Sequence, residues 1–256
     1  TAFAQVTGQD IHYTKLLAPL GGFSQAVDAF RSSGGRGMNV TAPFKLDAFA
    51  YATDLAPSAQ MAGAVNAMKF EGGKVYAENF DGVGLVRDLL HNLGCPLRGR
   101  RVLILGAGGA TRGALLPLLA EEPADLFIVN RTVEKAEALT TLALKHQTAA
   151  VPVQGLGYAA LQGQAFDVVL NATSSSLTAE LPPLPASVFA PGCLAYDLTY
   201  GKGLTPFLRL ASESGVARWA DGVGMLAEQA AEAFAWWRGE RPDTASVIRA
   251  LTVPLR

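Results

Sequence analysis

An α/β fold in two parts is predicted by three observations. Short apolar runs alternate with helix-like stretches from about residue 81 onward, and a glycine cluster at 106–110 follows directly on one of those runs. The first third instead mixes shorter elements around a hairpin signal. Strands alternating with helices mean βαβ units, a parallel sheet and right-handed crossovers.

Taken in order, residues 11–17 are expected as a strand and 23–33 as an amphipathic helix ending at Gly34-Gly35. Residues 37–40 read as a strand, with Thr41 as a helix cap and Pro43 in the first turn behind it. Residues 65–70 and 74–80 flank Glu71-Gly-Gly73, a short glycine loop of the kind that closes hairpins. A helix over 82–93 stops at Gly94. Strands follow at 101–105, 126–129, 167–170 and 193–197, with helices to Ala120 and over 132–144, 222–238 and 244–251. The expected division is an N-terminal α/β substrate domain over residues 1–81, a doubly wound Rossmann-type domain over 82–221, and C-terminal helices, 222–256, that pack back onto the first domain.

Half of the 256 residues are hydrophobic and 17% are charged, enough apolar surface to fill a core in each part. The net charge is −1 and no Lys/Arg run exceeds two, which argues against a nucleic-acid partner. Cys95 and Cys193 lie far apart, outside any CxxC or Cys/His cluster, so neither a metal site nor a disulfide framework is expected. No uncharged apolar stretch reaches the ~18 residues of a membrane span, and no signal-peptide pattern opens the chain. A soluble, cytoplasmic protein without a membrane partner is expected, as a monomer or homodimer. Thr1-Ala-Phe-Ala-Gln5 reads like the inside of a helix, so a preceding segment is expected to be missing from this sequence.

The run Val102-Leu-Ile-Leu-Gly106-Ala107-Gly108-Gly109-Ala110 is a strand, a glycine turn and a helix start. Gly106 permits the tight turn and Gly108 lets the backbone approach a pyrophosphate, while the helix end offers unpaired N–H groups to the phosphate charge. Thr111 and Arg112 open that helix and are candidates for the same pocket. An NAD site places an acid about 20 residues after the glycines. Here the next strand ends in Asn130-Arg131-Thr132, with Lys135 one turn later. A guanidinium binds a 2′-phosphate that a carboxylate would repel, which favours NADP. Taken alone, Arg131 is equally a surface charge. Asn171, Thr173 and Ser174 follow another strand, where they either touch the cofactor or form a cap or ST-turn.

Acid–base candidates lie in the first domain. Lys45 is placed in a first helical turn, where the dipole disfavours a further positive charge and lowers its pKa. Asp81 stands where the two parts meet, able to orient the lysine and counteract part of that shift. By residue type alone, either is an ordinary surface charge.

Across nearly its whole length the chain resembles the shikimate dehydrogenase family. The matching segments are Asn39-Val-Thr-Ala-Pro-Phe-Lys45, Gly63-Ala-Val-Asn66, Asn79-Phe-Asp-Gly82, the glycine turn, Asn130-Arg-Thr132, Asn171-Ala-Thr-Ser174, Tyr200-Gly-Lys-Gly203 with Thr205-Pro-Phe207, and Gly222-Val-Gly-Met-Leu226 with Gln229. The resemblance implies a cleft enzyme that interconverts shikimate and 3-dehydroshikimate with NADP. It implies that Lys45 is the catalytic lysine and Asp81 its partner, also bonding substrate hydroxyls. Asn66 and Gln229 are then hydroxyl ligands, Thr41 and Tyr200 contacts near the substrate carboxylate, and Leu198, Gly222 and Met225 neighbours of the nicotinamide.

Three departures stand out. The family's opening strand and Ser-x-Ser pair have no counterpart, Phe80 replaces a usual threonine beside Asp81, and Ala42 replaces a usual valine. Phe80 leaves open a divergent paralogue preferring quinate. A non-catalytic NADP-binding sensor is the other alternative, disfavoured because a pure binder needs neither Lys45 nor Asp81.

Overall fold

The computed structural model describes residues 2–173, 183–201 and 203–254. The first part is built on a four-stranded sheet of β1 (Gly37–Asn39), β2 (Asp54–Leu55), β3 (Ala67–Glu71) and β4 (Lys74–Glu78). The strand order is β1-β3-β4-β2, with β3 antiparallel to both neighbours and β2 parallel to β4. The β3–β4 hairpin turns on Gly72 and Gly73, both at positive φ (58° and 79°), which a two-residue loop requires for its twist to match the strands. Phe23 and Val27 of α2 (Phe23–Ser32) and Ala48 of α3 (Lys45–Tyr51) share a core with Val65, Met68 and Val75. Between β2 and β3, α4 (Pro57–Ala62) starts on a proline and ends at Gly63, in the left-handed conformation that lets the chain leave the helix.

The second part is a six-stranded parallel sheet: β5 (Arg101–Leu105), β6 (Asp125–Val129), β7 (Val153–Leu156), β8 (Phe166–Asn171), β9 (Phe189–Asp197) and β10 (Arg218–Asp221). Its order, β10-β9-β8-β5-β6-β7, reverses direction between β5 and β8, the doubly wound arrangement the sequence predicts. Alternate residues serve opposite faces. Val102 and Ile104 join Leu115 and Leu118 of α6 (Gly109–Ala120) and Leu139 of α7 (Val133–His146), whereas Leu103 and Leu105 join Phe207 and Leu208 of α8 (Pro206–Glu213). Thr205 caps α8, its hydroxyl accepting from the Leu208 N–H at 3.3 Å.

Two helices tie the parts together. In α5 (Asp81–Arg87), which widens into one π-type turn over Asp88–Asn92, glycines take the contact positions. Gly82 lies against the Gly113 carbonyl of α6, and Gly84 against α9 (Val223–Arg238). A Cβ at position 84 would stand 2.7 Å from the Gln229 nitrogen and 2.9 Å from the Met225 oxygen. From α9, Trp237 donates to the Met68 carbonyl of β3 at 3.0 Å, and Phe234 meets Phe3 of α1 (Ala2–Thr7) edge-on. The last helix, α10 (Ala245–Leu251), lies against α9. No helix among the described residues is long and apolar enough to cross a membrane.

Several local expectations are corrected. Residues 11–17 form no strand: Tyr13 bonds Asn39 through its hydroxyl, but no backbone ladder forms and Leu16 and Leu17 face solvent. Thr41 is not a helix cap. Its carbonyl accepts from the Phe44 N–H, closing a turn that contains the cis Ala42–Pro43 bond, so α3 starts later, at Lys45. The short elements β2, α4, β7 and β10 carry too few apolar residues to stand out in sequence.

Gly84→Ala drives a methyl into the backbone of α9. Overpacking of this kind costs about 1–3 kcal/mol, so the urea midpoint falls measurably. An unchanged midpoint would mean that the α5–α9 approach does not constrain the fold.

Candidate active site

At the seam between the two parts, Lys45, Asn66, Asp81 and Gln229 come together from α3, the β3 approach, α5 and α9. Lys45 is the first residue of α3, and its carbonyl accepts from the Val65 N–H at 3.0 Å, tying it to the segment that carries Asn66. The Lys45 ammonium lies 2.6 Å from Asp81 Oδ2, with the two side chains 31% and 18% exposed. The pair is thus shielded yet reachable from solvent. Asn66, almost fully buried, donates to Asp81 Oδ1 at 2.8 Å and to Gln229 Oε1 at 3.3 Å. Its side-chain oxygen Oδ1 accepts from the Phe80 N–H at 2.9 Å.

Asn79 completes the framework and is a residue that sequence reasoning did not single out. Its side-chain oxygen accepts from the Asp81 N–H, and its amide donates to the Ala64 carbonyl. The two-residue step from Asn79 to the Asp81 N–H is an Asx-turn pattern, which was the available signal. Phe80 does not crowd the lysine pair by stacking on it. Its ring lies edge-on to Trp236 of α9, with centroids 5.9 Å apart. Thr41 and Tyr200, both exposed on loops, are not brought into hydrogen-bonding contact with this cluster.

The carboxyl ends of β5, β6, β8 and β9 form the other wall. Gly106, at φ 98°, presses against the Ala172 carbonyl, a conformation and an approach that suit glycine. Gly108, Gly109 and Ala110 are exposed, and no side chain caps the start of α6. That helix end can therefore receive a phosphate through its backbone N–H groups. The Ala107 N–H donates to Asn130 Oδ1 at 3.2 Å, and the Asn130 amide donates to the Thr132 carbonyl, so Asn130 buttresses the turn. Arg131, Thr132 and Lys135 are exposed beyond β6, and among the described residues neither cation has an acidic partner. This donor set fits a dinucleotide carrying a further phosphate on its ribose.

Thr111 and Arg112 are turned elsewhere. The Thr111 hydroxyl donates to the Gly106 carbonyl inside the turn, and Arg112 reaches across to donate to Met61 O at 2.6 Å, beside Gly63. Asn171 is fully buried and braces Asp197, while Thr173 bonds back to Asn171. Ser174 lies outside the described residues. Gly222 sits directly on the Leu198 carbonyl, and Leu198 and Met225 pack on the same core beside Ala107 and Ala172. A surface depression of about 650 Å³ lined by Arg31, Gly35 and Lys74 lies at the opposite end of the β3–β4 hairpin and contains none of these groups.

A doubly wound domain facing a lysine–carboxylate pair across a cleft is the arrangement of the two-domain oxidoreductases that seat a substrate beside a bound dinucleotide. Within that class the chain belongs to the shikimate dehydrogenase family. Residues 1–68 match the shikimate dehydrogenase substrate binding domain, 88–179 the shikimate/quinate 5-dehydrogenase family, and 222–252 the shikimate 5′-dehydrogenase C-terminal domain. The shikimate dehydrogenase (NADP(+)) of Chromobacterium violaceum is 55% identical over 97% of this chain and 90% of that protein. Among solved structures, an Ael1 enzyme from Pseudomonas putida is 59% identical with a TM-score of 0.94, covering 100% of this chain and 92% of that one. The shikimate 5-dehydrogenase of Thermus thermophilus, in complex with NADP(H) and shikimate, is 30% identical with a TM-score of 0.82, covering 98% and 91%.

Neither cysteine belongs to the cleft. Burial pushes the Cys95 thiol up and the Cys193 thiol up to about 12, so both stay protonated and unreactive at neutral pH. Among the described residues no cluster of His, Cys, Asp and Glu could hold a metal ion. A chromogenic disulfide reagent is expected to label neither thiol in the native protein and both in denaturant. Rapid labelling of the native chain would contradict the burial.

Proposed function

We propose that the chain catalyses NADP-dependent, reversible hydride transfer between 3-dehydroshikimate and shikimate, with Lys45 and Asp81 as its catalytic residues. The observation that carries this reading is the 2.6 Å Lys45–Asp81 pair, joined to two amide side chains at the mouth of a dinucleotide site. NADP, when bound, supplies the hydride acceptor for oxidation, and NADPH the donor for reduction.

The residues do the rest. In reduction, the Lys45 ammonium donates a proton to the ketone oxygen as its carbon gains the hydride, giving the alcohol and a neutral amine that solvent reprotonates. Oxidation reverses both transfers. Asp81 holds Lys45 in place, and Asp81 is itself aligned by Asn66 and Asn79. The Asn66 and Gln229 amides, each with donors and acceptors, suit the hydroxyls of a polyhydroxylated ring. Thr41 and Tyr200 serve the substrate carboxylate from the exposed rim. Gly106 to Ala110 hold the pyrophosphate, Asn130, Arg131, Thr132 and Lys135 the adenosine side with its 2′-phosphate, and Thr173, Leu198, Gly222 and Met225 the nicotinamide side. The substrate is a free small molecule, and the reading places the enzyme in the cytoplasm.

Phe80 favours a second reading, a relative that prefers quinate. It stands where the family resemblance leads one to expect a threonine, so a hydroxyl next to Asp81 is lost and an aromatic surface with Trp236 takes its place.

NADP reduction followed at 340 nm, with shikimate and quinate offered in turn, decides between the two. Shikimate is expected to be the better substrate, and turnover with quinate alone would transfer the assignment to the second reading. Lys45→Ala is expected to lower kcat by about 10²–10⁴-fold, with Asp81→Asn also impaired and NADPH binding retained in both. Near-normal turnover in Lys45→Ala would remove it from the chemistry. Arg131→Ala is expected to raise the KM for NADP by about tenfold, in line with ~1.5 kcal/mol for a charged hydrogen bond, while leaving the weak use of NAD unchanged. An equal loss with both cofactors would exclude a 2′-phosphate contact.

A further inference from the structure

Behind the cleft, where α5 widens into its π-type turn, Asp88 is 3% exposed and is enclosed by three elements. Tyr196, fully buried near the end of β9, donates its hydroxyl to Asp88 Oδ2 at 2.7 Å. Asn92 donates to Oδ1 at 3.0 Å and, with the same amide, to Glu228 Oε1 of α9 at 2.9 Å. Gly224, in the first turn of α9, lies so close to the Asp88 carboxylate that a Cβ there would overlap it.

These contacts form one chain of support. The first N–H groups of a helix have no partner within the helix and need one from outside. In α9 the Val223 N–H is taken by Asp221 Oδ1 at 3.2 Å, and the Asp88 carboxylate lies directly against Gly224 of the same turn. Asp88 in turn fixes the direction of the Tyr196 hydroxyl. Burial pushes the Tyr196 hydroxyl well up and also raises the Asp88 carboxyl, so the tyrosine keeps its proton and remains the donor at neutral pH. Neither side chain reaches the cleft. Their common product is the placement of the Gly222–Met225 turn, which rests on the Leu198 carbonyl at Gly222 and on the Asp88 carboxylate, held by Tyr196, at Gly224.

We propose that Tyr196 and Asp88 are positioning residues for hydride transfer, which act by setting the Gly222–Met225 turn against the nicotinamide ring. This rests on the placement of Gly222 and Met225 beside that ring in the proposed function. Hydride transfer requires close, aligned carbon centres, and a misplacement of about 1 Å can cost on the order of 10²-fold in rate. A packing role without that alignment would alter stability and leave the chemical step unchanged.

Tyr196→Phe is the test, since it keeps the ring in the core and removes only the hydroxyl. Three readouts are taken: kcat and KM with shikimate, the primary isotope effect on kcat with substrate deuterated at the carbinol carbon, and the emission of NADPH bound to the protein without substrate. The expected result is a kcat lower by about 10-fold to 10²-fold, a KM for shikimate within about twofold, a larger isotope effect, and altered emission of bound NADPH. Asp88→Asn, which keeps an oxygen to accept from Tyr196, is expected to fall between wild type and Tyr196→Phe, and it carries the same readouts if Tyr196→Phe does not fold. Wild-type kcat, isotope effect and emission in a variant that is merely less stable would overturn the proposal. If the wild-type chain turns over no shikimate, the functional reading fails by itself, and altered NADPH emission in Tyr196→Phe still supports the positioning role.

Discussion

The cleft depends on how closely α5 approaches its two neighbours. Asp81 opens that helix, so the carboxylate goes where the helix goes. Gly82 against the Gly113 carbonyl and Gly84 against α9 let it run between the cofactor helix and the C-terminal helix with backbone touching backbone. Any side chain at those positions would move the substrate wall away from the dinucleotide wall. Protein interiors resist such displacement, because packed layers cannot compress to absorb a methyl group. The distance between the two walls is therefore written into residues that have no functional groups at all.

Electrostatics then acts within that frame. Lys45 and Asp81 are held half-shielded rather than sealed, which leaves the lysine able to exchange its proton with water. Asn66 and Asn79 spend their hydrogen bonds on the Asp81 carboxylate and on the backbone around it. The site is a network in which each amide satisfies a neighbour, and the carboxylate has little freedom to turn away. On the opposite wall the glycine turn is held by Asn130 and Thr111, both through local bonds, so the exposed end of α6 keeps its shape.

Much of this was legible in the sequence. The doubly wound half follows from alternating apolar runs of the right length, and its glycine turn from residues adjacent in the chain. Lys45 and Asp81 were candidates from their places in the chain, while Asn66 and Gln229 were named only through a family resemblance, since no local rule brings positions 45 and 229 together. What stayed hidden were contacts between distant segments and elements too short to show a period. The strand expected at 11–17 has the right residue types, but a strand exists only through a partner, and here the segment touches the sheet through one tyrosine hydroxyl. Arg112 looked like a phosphate ligand because of where it stands in the motif, yet its long side chain found a carbonyl of the other half. Tyr196 and Asp88 carry no motif, and only their mutual burial reveals them.

One last consequence comes from α9. Met225 and Gln229, which the proposed function assigns to the cofactor side and the substrate side of the cleft, are four residues apart on the same helix, a rise of about 6 Å or roughly one turn. Substitutions along it leave the spacing intact. An inserted or deleted residue between the two positions does not, because each residue turns the helix by about 100°, and one of the pair would swing out of the cleft. The spacing between the two sides of the cleft thus depends on the length of this stretch rather than on its side chains.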